Sequence, residues 1–83
     1  MSLNYVFSSK LYHARTQQGY TQAQVAEAVG VSLRWYVKLE KGIKFPNGVI
    51  LIRLVLLLGL ELEPLRKYAG LLEPGTARRG AYV

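Results

Sequence analysis

The chain has no cysteine, and only one histidine, one methionine and one tryptophan among its 83 residues. Without thiols there is neither a disulfide framework nor a thiolate metal site, and a reducing, cytoplasmic setting fits. The single imidazole, His13, has no second ligand, nucleophile or partner carboxylate in view, and it reads as a surface residue of the first helix. There is no carboxylate pair in a plausible cleft and no phosphate-cradling glycine loop, so neither an enzyme nor a cofactor is expected. A long apolar run is also missing. The most apolar stretch, "GVILIRLVLLLGLEL" (Gly48–Leu62), is 15 residues with Arg53 inside it. A membrane-spanning helix needs about 20 apolar residues, so this stretch reads as a buried helix. No cationic leader precedes an apolar run at the N-terminus, and no signal peptide is expected. The apolar and basic residues belong to different helices, which argues against a membrane-surface peptide. Neither an internal repeat nor the period-2 alternation of a strand appears.

Acid is scarce as well. The only five acids, Glu27, Glu40, Glu61, Glu63 and Glu73, face eleven Lys and Arg, for a net charge of +6 and a pI near 9.9. Arg34, Lys38, Lys41 and Lys44 fall within eleven residues of one another. Such a balance suits polyanionic partners, although it also serves solubility. The length allows one small domain with a thin core.

What is present is helical punctuation. "LNYVFSSKLYHARTQQG" sets Phe7, Leu11 and Ala14 on one stripe, with Asn4 as a start and Gly19 as a stop. In "TQAQVAEAVG", Thr21 and Gln24 fit a capping box, Val25, Ala26 and Val29 form the apolar face, and Gly30 can take the left-handed conformation that ends a helix. "SLRWYVKLEKG" starts at the N-cap Ser32 and turns Tyr36 and Leu39 inward. After "IKFP", Asn47 caps a fourth helix through about Leu58, with Ile50, Leu51, Leu54, Leu57 and Leu58 inside. A short fifth helix is expected over Pro64–Ala69. The aperiodic "EPGTARRGAYV" from Glu73 reads as a loose tail in which Arg78 and Arg79 are solvated. The expectation is an all-α bundle of four to five short helices, one domain over 1–72 with a helix-turn-helix at about 21–41, and a tail at 73–83.

Two helices joined by a three- or four-residue turn need a small side chain at their closest approach, a residue tolerant of positive φ in the turn, and an apolar lock on the second helix. Ala26, Gly30 and Leu39 meet these demands. The stretch from about Leu11 to Leu65 resembles the Cro/repressor-type helix-turn-helix family, also called xenobiotic-response-element-type regulators. The resemblance rests on Arg15, then Thr21-Gln22, Val25-Ala26, Gly30-Val31-Ser32, "LEKG" (Leu39–Gly42), Pro46-Asn47 and "LGLELEPL", in order and at the family's spacing.

The resemblance implies a lambda-repressor-like fold and a sequence-specific regulator of transcription, a repressor, whose third helix lies in the DNA major groove. Leu33, Arg34, Val37 and Lys38 then become the base readers. Arg34 is suited to guanine O6 and N7, and Leu33 can only pack on a thymine methyl. Gln22, Lys41 and Lys44 would meet the backbone. Asn47 would do so as well or serve only as a cap. Trp35 would press on the backbone or pack on the first helix. Arg15 and Glu40 match the family's structural ion pair. Tyr36 departs from the family's aliphatic residue and needs a partner for its hydroxyl. Tyr5, Tyr12, Tyr20 and Tyr68 read as boundary residues. Val49, Leu56, Leu60 and Leu62 exceed the apolar surface the fold requires, which suggests a homodimer on a palindromic operator or a face covered by the tail or fifth helix. Two other functions stay open: an antitoxin that also binds a toxin protein, and an interaction module that has lost DNA.

Overall fold

A computed structural model describes residues 2–66 and 68–70. Four α-helices follow one another: α1 (Leu3–Gln17), α2 (Gln22–Val29), α3 (Leu33–Glu40) and α4 (Gly48–Leu58), then a single 3-10 turn, Glu63–Leu65. There is no strand among the described residues, and the all-α expectation holds. The expected tail at 73–83 lies outside the described residues.

Local chemistry explains most boundaries. The Thr21 hydroxyl accepts the Gln24 amide at 3.0 Å, while the Gln24 side chain accepts the Thr21 amide at 2.8 Å, closing the capping box at the start of α2. Ser32 and Asn47 cap α3 and α4 through the amides of Trp35 and Ile50. α2 ends at Gly30, whose φ is +84°. There the Gly30 amide reaches the Glu27 carbonyl and the Val31 amide reaches Ala26, the paired bonds of a Schellman ending.

Two expectations are corrected. Ser2, not Asn4, caps α1, accepting the Tyr5 amide at 3.2 Å, and Asn4 lies inside the helix. The fifth helix over Pro64–Ala69 is one 3-10 turn at Glu63–Leu65, followed by isolated turn bonds. Pro64 is its second residue, a four-residue bond runs from the Ala69 amide to the Leu65 carbonyl, and Gly70 then adopts a positive φ. The Glu63–Arg66 pair, at 2.6 Å and three residues apart, suits the tighter turn.

The core draws on every element: Phe7 and Leu11 from α1, Val25, Ala26 and Val29 from α2, Tyr36 and Leu39 from α3, Ile50, Leu54 and Leu58 from α4, and Leu65. Leu51 and Leu57 are half-buried against it. Two long-range ties hold the ends of α4. The Gln18 side chain donates Nε2 to the Leu58 carbonyl at 2.7 Å, joining the ends of α1 and α4. Phe45 lays its ring 4.9 Å from Phe7, which pins the α3–α4 loop onto α1.

Candidate nucleic-acid interface

Position, in this small domain, is set by one carboxylate. Glu40, at the last turn of α3, has a side chain only 5% exposed. Its Oε2 accepts Arg15 Nε at 2.5 Å and the Tyr36 hydroxyl at 2.6 Å. Its Oε1 accepts Arg15 Nη2 at 3.0 Å and Gln22 Nε2 at 3.1 Å. Arg15 also donates Nη1 to the Tyr20 carbonyl at 2.8 Å. Four donors thus fill one carboxylate and tie α1, the start of α2 and the end of α3 into one body. Burial alone would push the Glu40 carboxyl up. The bonds from Arg15, Tyr36 and Gln22 outweigh it and hold the carboxyl below its ordinary value. The same bond from Glu40 holds the Arg15 guanidinium above its ordinary value against the cost of burial. Burial, then the bond to Glu40, drives the Tyr36 hydroxyl far up.

The Tyr36 departure is thereby accounted for: its ring is fully buried and its hydroxyl has a partner one turn along. That partner was readable from the i,i+4 spacing of Tyr36 and Glu40.

At the other end of the motif, Ala26 is buried in the core, and Gly30 makes the turn. Arg53 reaches across from α4 and donates Nη1 to the Val29 carbonyl at 3.0 Å. Sequence reasoning missed this contact. The one signal was a cation inside an otherwise apolar helix.

Held this way, α3 presents a shallow groove lined by Leu33, Arg34, Val37, Lys38 and Lys41. All four residues expected to read bases lie in it. Leu33, Arg34 and Lys41 are exposed, and Val37 and Lys38 are half-buried. Lys44 is exposed on the loop that Phe45 anchors. Trp35 is half-buried and packs against the core cluster. The Asn47 side chain serves as a cap. Gln22 is braced on Glu40 at the first turn of α2, where free amides favour an anion.

The four expected association residues do not share one environment. Val49 and Leu56 are 59% and 78% exposed, and Ile52, which sequence reasoning left out, is 60% exposed between them. These three recur at i, i+3 and i+7 along α4 and form one stripe. Leu60 is half-buried against the core, and Leu62 lines a separate apolar groove with Leu3, Phe7, Phe45, Leu51 and Leu65. Among the described residues no group of three or more His, Cys, Asp or Glu can hold a metal, and no helix is long and apolar enough to cross a membrane.

Comparison with curated proteins finds no match. A family model described as helix-turn-helix matches residues 11–65, about two-thirds of the chain and nearly the span of the sequence resemblance. That family consists of DNA-binding regulatory domains rather than enzymes. With this match across the motif, its turn and the helices that brace it, the chain belongs to the Cro/C1-type helix-turn-helix family of DNA-binding transcription regulators.

Proposed function

We propose that this protein is a cytoplasmic repressor that binds a palindromic operator as a homodimer and reads it with α3 in the major groove. The observation that carries the reading is the groove on α3. It joins two apolar side chains to three cations, on a helix fixed by a saturated, buried carboxylate. A rigid helix presenting donors and hydrocarbon suits base edges, where a mobile one would lose affinity to ordering. In this reading Leu33, Arg34, Val37 and Lys38 face bases. Gln22, Lys41 and Lys44 meet phosphates, with Asn47 and Trp35 at the edge of the contact.

The stripe Val49, Ile52 and Leu56 supports a dimer through α4, which would set two copies of α3 about 34–36 Å apart, or a multiple of that, on the duplex. The same stripe favours a second reading, an antitoxin whose α4 also takes a toxin protein.

Selection of bound duplexes from a random library at moderate salt tests the proposal. A regulator that binds as a dimer enriches an inverted repeat. Enrichment of a single half-site removes the dimer. Absence of binding to any duplex at low salt refutes the function.

A further inference from the structure

The groove on α3 has an uneven chemistry. Arg34, Lys38 and Lys41 can only donate hydrogen bonds, and Leu33 and Val37 can do neither. None of these five side chains is an acceptor, and the one carboxylate on α3 is occupied. Glu40 receives four hydrogen bonds from Arg15, Tyr36 and Gln22. The Ser32 hydroxyl, at the start of α3, accepts the Trp35 amide. The face therefore offers no Asn or Gln for the paired contact to adenine N6 and N7, and no carboxylate for cytosine N4.

Two features of the major groove remain legible to it. Guanine O6 and N7 accept from Arg34 and the lysines. The thymine C5 methyl is the apolar projection that Leu33 and Val37 can cover. These two lie one turn apart, about 6 Å along the helix axis. That distance spans about two base steps of about 3.4 Å each.

We propose that α3 distinguishes its operator from other sequences through thymine 5-methyl groups packed on Leu33 and Val37, beside guanine held by Arg34. This rests on the major-groove reading above and adds to it: A·T pairs are recognised by a methyl group and not by a hydrogen bond to adenine. Uracil, which lacks only that methyl, is a poor substitute for thymine. 5-Methylcytosine, which restores it, is a better substitute than cytosine.

The test uses the full chain and a duplex recovered by selection from a random library. The duplex is made with thymine, with uracil at each thymine in turn, and with C·G or 5-methyl-C·G pairs at the sensitive positions. Each lost methyl should weaken binding about fourfold, as expected for one buried group of methylene size, and two together about fifteenfold. The C·G form should bind about fourfold more weakly than its methylated counterpart. The thymine–uracil difference should vanish at one position in Leu33→Ala and at another in Val37→Ala, and persist in Arg34→Ala. Circular dichroism of each variant establishes that it is folded.

Equal affinity for thymine and uracil forms overturns the inference while leaving a sequence-specific regulator. So does a selected site without thymine. A uracil effect that survives both Leu33→Ala and Val37→Ala belongs to DNA shape and also overturns it. Failure to bind any duplex at low salt instead defeats the major-groove reading on which the inference stands.

Discussion

Truncation of Glu40 to alanine is the severest test of how this domain holds its third helix. The carboxylate is 5% exposed and its partner Arg15 11% exposed, so both charges are largely out of water. Removing Glu40 strands the Arg15 guanidinium and the Tyr36 hydroxyl and frees Gln22. Breaking a buried ion pair from one side costs about 3–5 kcal/mol. At roughly 0.05–0.15 kcal/mol per residue, a domain this small has about 4–10 kcal/mol in all. Glu40→Ala should therefore lose about half or more of the stability. Urea unfolding followed by circular dichroism at pH 7 measures this directly. A double variant, Arg15→Met with Glu40→Leu, separates the charge from the cavity, because removing both ends leaves no stranded ion. It should recover most of the loss. A single variant that loses less than about 1 kcal/mol, or a double variant no better than the single, would refute the reasoning.

The same carboxylate sets an acid limit. Its folded-state value lies below the ordinary 4.5, so its contribution is complete above that pH and is lost as pH falls through the lower folded value. Stability should hold from pH 7 to about 5 and decline below about 4.5, with a shallower acid limb in Glu40→Gln.

Further outcomes follow from single contacts. Tyr36→Phe removes one of the four bonds to Glu40 and should cost about 1–3 kcal/mol in urea unfolding; no change would mean the hydroxyl is idle. Gly30→Ala places an L-residue at φ +84° with its Cβ 3.0 Å from Arg53 Nη1, and a melt should show a loss of about 1–2 kcal/mol. Arg34→Ala should lose about 1–3 kcal/mol on the selected duplex and relax choice at one base pair, whereas Lys44→Ala should weaken all duplexes alike and flatten the salt slope by about 1. Identical behaviour of the two would cancel the division into base and backbone contacts. Leu56→Glu should convert a dimer to a monomer in sedimentation with helicity unchanged; an unaltered mass would exclude the α4 stripe as the dimer interface.

The motif was legible in the sequence because its signals are local. Thr21 with Gln24, Gly30 and Ser32 each act within a few residues, and each sits where the local pattern puts it. The Arg15–Glu40 pair, 25 residues apart, was reached only through the family resemblance. What stayed hidden depends on folding at a distance. Arg53 on the Val29 carbonyl, Gln18 on the Leu58 carbonyl and Phe45 on Phe7 have no signature in spacing. Sequence reasoning placed the start of α1 at Asn4, whereas Ser2 caps it through the Tyr5 amide. The expected fifth helix is one 3-10 turn at Glu63–Leu65, with Gly70 at a positive φ beyond it. Leu60 and Leu62 lie beyond Gly59, whose positive φ ends α4, so no helical period relates them to Val49 and Leu56.

Affinity for the selected duplex and for a scrambled one, titrated from 50 to 200 mM salt, tests the central claim most directly. Binding to both should fall steeply as counterions are released, while the selected duplex stays about a thousandfold tighter or more. Equal affinities throughout, or no binding at the lowest salt, would contradict a sequence-specific DNA regulator.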